Sequence, residues 1–345
     1  MTGTDPTTDP TAPTGTPAST PAAAPANRPA AEPGTVRIAT RGSALALAQA
    51  KLVADQLTTA WPGLAVELVV VVTDGDRRRD VPAAELGGKG SFTVAVQEAV
   101  LDGRADAAVH SAKDLPAAQA DGLVLAAVPA REDPRDVLVA PAFPAAAGLA
   151  DLPAGARVGT GSPRRVALLG ALCPDAKPMP IRGNVDTRLR KARTGEVEAL
   201  VLAAAGLARL GLLDAVDAVP LDPTVFVPAP CQGCLAVEAR ADDTRTLGLL
   251  SAVTDRPSRV ALRGERAFLA ALGGSCTLPA GALLTRGRGR IEMHGFLAGL
   301  DGGGLVRDHV AGPADEPEAL GSILAARLLA AAGPEVRALV AGLRR

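Results

Sequence analysis

Short apolar runs alternate with amphipathic segments along most of this chain. The pattern opens at VRIAT (36–40), an apolar strand, and continues through RGSALALAQAKLVADQL with helical spacing to LAVELVVVVTDGD, a buried strand. SFTVAVQEAVLDG reads as another helix and ADAAVH as another strand, and such alternation predicts a parallel α/β sheet. The pattern then restarts. ARVGTGSPRRVALLGAL (156–172) repeats the strand, Thr/Gly/Ser turn and helix of VRIATRGSALALAQA, and GEVEALVLAAAGLARLG (195–211) parallels GRADAAVHSAKDLP (103–116). Two similarly built α/β domains are expected, with the charged, Pro-broken link REDPRDVLV (131–139) as the crossover between them. From about residue 256 the order changes to helix (RVALRGERAFLAAL), loop (GGSCTLPAG), hairpin strands (ALLTRGRGRIEMHGFLAG) and helix (PEALGSILAARLLAAAG), which predicts a small α+β domain.

Composition narrows the classes. A length of 345 residues suits two or three domains. Residues 1–34 are mostly Thr, Ala, Pro and Gly with hardly any large apolar side chain, so they cannot offset their ordering entropy and read as a disordered tail. That tail lacks the apolar core of a secretion signal, so a cytoplasmic protein with reduced cysteines is expected. A net charge of −1, 2% aromatics and no tyrosine argue against nucleic-acid binding. No apolar run reaches the ~18–20 residues of a membrane span.

Ligands of open α/β sheets sit beyond the carboxyl ends of the strands. At such ends stand Arg41, Gly42 and Ser43; His110, Ser111, Lys113 and Asp114; Gly161, Ser162, Arg164 and Arg165; and Arg182, with Arg188 further into a helix. Ser43 and Ser162 suit helix N-caps, where free N–H groups attract anions, and Pro163 suits the first helical position. The arginines are planar carboxylate clamps, so this set points to a ligand with several carboxylates or phosphates. The plainer alternative pairs each arginine with a surface acid. LGGKGS (86–91) lacks the phosphate-loop spacing, which leaves a mobile glycine loop carrying Lys89 or an ordinary turn. In HSAKDLP (110–116), Asp114 beside Lys113 can stabilise a developing cation or shuttle a proton, or simply cap a turn before Pro116. His110 reads as a core histidine.

The four cysteines divide. CQGC (231–234) resembles a redox pair or half a zinc site. Only Cys173, Cys276 and three scattered histidines could complete a metal site, so no metal is expected. Its position between VFVPAP and LAVEAR predicts an extended segment rather than the strand-to-helix turn of a reactive pair. Cys276, alone in the loop GGSCTLPAG, suits covalent attachment or nucleophilic catalysis.

The motifs RIATRGSALALAQA, TDGD, GGKGSF, ADAAVHSAKDLP, REDPRDVLV, GTGSPRR, IRGNVDTRL, LAAAGLARLG, QGCLAVEAR and SCTLP occur in the order seen in porphobilinogen deaminases, also called hydroxymethylbilane synthases. The resemblance covers roughly residues 35–345. It implies two periplasmic-binding-protein-like α/β domains (35–131 with 234–251, and 135–228) and a C-terminal α+β domain (256–345). It further implies a monomeric transferase of tetrapyrrole biosynthesis that deaminates porphobilinogen and joins four molecules head to tail into hydroxymethylbilane. The cofactor would be dipyrromethane, thioether-linked to Cys276. Asp114 would stabilise the cationic intermediate, with Lys113, Arg41, Arg164 and Arg165 assisting catalysis. Ser111, Lys113, Asp114, Thr160, Ser162, Arg164, Arg165, Arg188 and Gly206 would contact the cofactor. Arg41, Ser43, Lys89, Arg182, Arg188 and Arg209 would bind substrate. Two departures stand out: Gly273 and Ser275 replace the usual Glu and Gly before the anchoring cysteine, and Cys231-Gln232-Gly233-Cys234 replaces Gly-Gln-Gly-Ala. The competing classes are a solute-binding protein, against which the third domain argues, and, more weakly, a CxxC oxidoreductase.

Overall fold

The computed structural model describes residues 34–73, 93–274, 277–287 and 289–343, besides Met1. The expected tail, the glycine loop with Lys89, and Ser275 and Cys276 lie outside the described residues. The chain divides into two compact units, Met1–Ala31 and Glu32–Arg345, and all elements below belong to the second.

The chain first lays down β1 (Thr35–Arg41), α1 (Ala44–Ala60), β2 (Ala65–Val71), α2 (Val94–Leu101), β3 (Ala107–Ser111) and β4 (Leu123–Ala127). It crosses over and builds β5 (Asp136–Val139), β6 (Arg157–Thr160), α3 (Pro163–Leu172), β7 (Lys177–Pro180), α4 (Val185–Arg193), β8 (Ala199–Ala203), α5 (Ala204–Arg209) and β9 (Val219–Pro220). It then returns with β10 (Leu235–Arg240) and α6 (Thr244–Ser251). The two sheets have matching orders, β2-β1-β3-β10-β4 and β7-β6-β8-β5-β9. This is the repeat that the sequence pattern suggests.

Neither sheet is wholly parallel, which corrects the expectation from strand and helix alternation. β10 runs antiparallel to β3 and β4, and β5 antiparallel to β8 and β9. The reason is the route. A parallel neighbour needs a crossover helix, whereas β5 and β10 enter straight from the inter-sheet crossings. The central strands β3, β5, β8 and β10 are buried almost throughout, which is why they read as continuous apolar runs. α1 starts where expected, with Ser43 Oγ accepting from the Ala46 N–H at 3.3 Å. α3 starts at Pro163 after the Ser162 cap.

The carboxyl-terminal part comprises α7 (Arg256–Ala271), the antiparallel sheet β11 (Ala280–Arg286), β12 (Arg290–Leu297) and β13 (Val306–Pro313), then α8 (Pro317–Ala331) and α9 (Pro334–Leu343). The expected hairpin is present. β13 and α9 are additions to the expected elements, because VRDHVAGP alternates with few apolar residues and α9 follows a helix that already reads as the closing one. α7 and α8 touch backbone to backbone: a Cβ on Gly321 would stand 2.2 Å from the Gly264 carbonyl oxygen, so glycine is required there. Phe268, Leu324 and Leu328 are fully buried beneath the sheet, and truncating such a leucine to Ala costs about 2–5 kcal/mol.

One carboxylate ties these parts together. Glu265 of α7 is fully buried and accepts from Arg131 at 2.7 and 3.1 Å, from the Leu284 N–H at 2.8 Å, and from the Cys231 N–H. It therefore pins both crossings and β11 to the same helix.

Candidate active site

Strand pairing brings the crossings to the ligand edge of each sheet. Leu235 pairs with Ser111 at the carboxyl end of β3, and Asp136 pairs with Ala203 at the carboxyl end of β8. Residues just outside the antiparallel strands therefore meet those that follow the parallel ones.

Asp136 is the centre of this meeting. Its carboxylate, fully buried, accepts from Arg164 at 2.6 Å, from Arg165 at 2.7 Å, and from Gln232 Nε2 at 2.9 Å. Arg164 also donates to the Val227 carbonyl at 2.8 Å and lies over the Phe226 ring, while Arg165 donates to the Val201 carbonyl at 2.8 Å. Burial alone would raise the Asp136 pKa, but the two guanidinium groups outweigh it and hold the carboxylate well below its ordinary range. Much of the binding capacity of Arg164 and Arg165 is thus spent inside the protein, on an acid that is buried rather than on the surface. Both Nε atoms remain buried without a hydrogen-bond partner.

Lys113 follows β3 in a single 3-10 turn, Ala112–Asp114, and donates to Gln232 Oε1 at 3.1 Å. Burial, followed by the like charge of Arg165, pushes its ammonium down to about 8. Asp114 is exposed at the end of the same turn and attracts both Lys113 and Arg188. Arg188, on α4, donates to the Gly183 carbonyl at 2.8 Å. Burial and then Arg165 and Arg182 push it down to about 10, so it stays charged at neutral pH. Arg182 has a buried Nη1 with no hydrogen-bond partner. Among the described residues, the five cations Lys113, Arg164, Arg165, Arg182 and Arg188 gather around the two carboxylates Asp114 and Asp136. A surplus of like charge at this depth calls for an anionic ligand.

The remaining expected residues spread around this cluster. Arg41 closes β1. Ser111 exchanges hydrogen bonds with Gln49 of α1 at 2.9 and 3.1 Å. Thr160 is buried at the end of β6 and accepts from the Ser162 N–H at 3.2 Å. Gly206 faces Leu45 of α1 and Val185 of α4, with room for a methyl group at 3.7 and 4.0 Å. Arg209 turns another way. It donates to the Gly233 carbonyl and lines a cavity of about 830 Å³ with Gln56 of α1 and the link between α6 and α7.

Three residues of the site escape the sequence reading. Asp136 reads as part of a charged link, Gln232 as no more than the spacer of CQGC, and Glu265 sits inside an ordinary helical pattern. CQGC is not extended: Cys231 has φ 64° and the Cys234 N–H donates to the Cys231 carbonyl at 3.1 Å, closing a turn. Both thiols are buried. Burial pushes Cys231 well up and Cys234 up to about 12, the opposite of a reactive redox pair. His110 lies 3.3 Å from Glu238 Oε2 in the first sheet, and Glu238 also accepts from Gln97 and Gln119. No group able to hold a metal occurs among the described residues.

Two similar mixed sheets, cross-linked at their crossings and presenting a cationic cleft beside a separate sheet-and-helix region, define a mixed α/β protein with a charged cleft at its sheet edges. The dipyrromethane cofactor binding domain of porphobilinogen deaminase matches residues 36–248, and the porphobilinogen deaminase C-terminal domain matches 260–330. Porphobilinogen deaminase from Roseiflexus sp. is 48% identical over 309 residues, 89% of this chain and 99% of the relative. The same-named protein of Syntrophotalea carbinolica is 46% identical over 295 residues, 86% of this chain and 92% of the relative. Among solved structures, the methionine-binding protein MetQ is similar at 14% identity and a TM-score of 0.40, covering 67% of this chain and 94% of its own. The chain belongs to the porphobilinogen deaminase family.

Proposed function

We propose that this chain deaminates porphobilinogen and joins four molecules head to tail into hydroxymethylbilane, on a primer held in the cleft described above. The observation that carries the reading is the cationic surplus around Lys113, Arg165, Arg182 and Arg188, with guanidinium nitrogens of Arg165 and Arg182 left without partners. Each pyrrole of the substrate carries an acetate and a propionate, so primer and growing chain are polycarboxylates. Unpartnered N–H donors beside such groups form charge-assisted hydrogen bonds. The residues present therefore fit a dipyrromethane group, with Lys113, Arg165, Arg182 and Arg188 holding carboxylates and Gly206 assigned to contact with it. When bound, dipyrromethane supplies the free pyrrole carbon to which substrate is joined.

Asp114 carries the catalytic assignment. Its carboxylate, exposed beside Lys113, stabilises positive charge on the substrate pyrrole as ammonia leaves, and accepts and returns a proton at the pyrrole nitrogen. Lys113 and Arg188 stand beside it. Arg164 acts through Asp136, holding Arg165 in place rather than meeting ligand with its own head. Ser43, Ser111, Thr160 and Ser162 shape the helix and strand ends, and Arg41, Lys89 and Arg209 are assigned to substrate binding. In this reading the chain is organised as domains at 35–131 with 234–251, 135–228 and 256–345, and it acts in the cytoplasm. Among the described residues no helix is long and apolar enough to cross a membrane.

Intact-protein mass spectrometry tests the reading together with porphobilinogen consumption. Purified chain should carry an excess of two pyrrole units that is absent from Cys276→Ala, and should convert porphobilinogen to hydroxymethylbilane. An unmodified, active protein would remove Cys276 from its role as anchor.

A further inference from the structure

Gln232 sits at the point where the chain returns to the first sheet, and its side chain spans the two halves of the site. Its Oε1 accepts from Lys113 at 3.1 Å, and its Nε2 donates to Asp136 at 2.9 Å and to the Pro134 carbonyl at 2.8 Å. These partners force the amide orientation. An ammonium can only donate, while a carboxylate and a carbonyl can only accept, so a flipped amide would face like against like on both sides. The residue is 1% exposed, and its backbone carbonyl accepts from Arg131 Nε at 2.8 Å, so the side chain has no freedom to swing out. We propose that Gln232 is a positioning residue for the reaction, holding the Lys113 ammonium protonated and in place for a ligand carboxylate.

The proposal rests on the family reading above. The charged groups facing Lys113 are Arg165, Asp114, Asp136 and Arg164, and burial combined with the arginines favours loss of its proton. Gln232 Oε1 opposes that tendency with an oriented dipole. At the same time Nε2 helps to hold Asp136, and through it Arg165. A glutamine does this without adding a third carboxylate beside Asp136 and Asp114, so the cleft keeps its positive surplus.

The chain has only five lysines, Lys51, Lys89, Lys113, Lys177 and Lys191, which makes a direct test practical. Full-length protein labelled with [ε-13C]lysine gives one resonance for each, and Lys113→Arg assigns the relevant one. In Gln232→Met the Lys113 midpoint should fall by about one pH unit, the size expected for losing a hydrogen bond to a charged group. The other four lysines should titrate unchanged. The alkaline limb of kcat for porphobilinogen consumption should move to lower pH by the same amount. Gln232→Asn, too short to reach Lys113 and Asp136 together, should act in the same direction, and thermal unfolding checks that both variants fold. A Lys113 midpoint unmoved in both folded variants, or a rate lowered by one constant factor at every pH, would overturn the proposal. The titration is read without turnover, so failure of the wild-type chain to consume porphobilinogen counts separately, against the family reading.

Discussion

Replacing Asp136 by Asn removes the single carboxylate between two buried guanidinium groups. The amide is nearly isosteric, yet it offers one acceptor oxygen where the Asp136 carboxylate offers two, and its NH2 group would face a guanidinium that also only donates. Arg164 and Arg165 are 4% and 6% exposed, so water cannot take over the lost contacts. Removing one partner of a buried ion pair costs about 3–5 kcal/mol. With an unfolding entropy of ~2.1 cal/mol/K per residue, roughly 310 folded residues give ~0.65 kcal/mol/K, so Tm should drop by about 5–8 °C. Scanning calorimetry at pH 7 measures this. The pH dependence gives a second check. The Asp136 pKa is depressed in the folded state, so its contribution is fully present above the unfolded carboxylate value of ~3.9 and is lost as pH falls through the folded one. The gap in Tm should therefore be constant from pH 6 to 8, as far as this group is concerned, and narrow only below about pH 4. Arg164→Met in the Asp136→Asn background should recover part of the loss, because one stranded charge is gone. A Tm within 1 °C of wild type at pH 7 would refute the reasoning and make the ion-pair triad energetically neutral.

Other outcomes follow from the same site. Asp114→Asn should fold normally, since Asp114 is exposed, yet lower porphobilinogen turnover by at least about 10²-fold in a steady-state assay. Lys113→Met should raise Tm at pH 7, by on the order of 2–3 kcal/mol of stability, because the folded state no longer shelters an ammonium whose pKa has dropped from 10.5 to about 8. Since an unfavourable charge is being relieved, that gain should fade as pH rises from 8 to 10.5, measurable by calorimetry across the range. Cys231 and Cys234 should resist a disulfide thiol reagent in native protein and react on denaturation, because both thiols are buried and hard to ionise.

What the sequence makes legible is whatever depends on local pattern. Ser43 and Ser162 announce helix starts, apolar runs announce the central strands, and the restart at ARVGT announces the second sheet. Strand direction is less accessible: β5 and β10 are apolar runs like their parallel neighbours, and only the path of the chain reverses them. At the site, charged residues next to strand ends can be found by position, and Lys113, Asp114, Arg165, Arg182 and Arg188 do lie near one another. The groups that position them cannot. Asp136, Gln232 and Glu265 each act over separations of 28 to 134 residues, and no local spacing records such a partner. Arg164 shows the converse: its place beside Arg165 suggests a ligand clamp, whereas its head is committed to Asp136 and Val227.

The entry of β10 between β3 and β4 bears on how the chain is made. Among the described residues β4 has no other strand partner, and the first sheet is joined on that side only when residues 235–240 arrive. A chain emerging from the ribosome would complete β5 to β9 while the first sheet still holds an open slot between two of its own strands. The second sheet, whose five strands are contiguous between Asp136 and Pro220, meets no such delay. The first sheet is thus begun before the second and finished after it, and during that interval its unpaired inner edges are in need of protection by a chaperone.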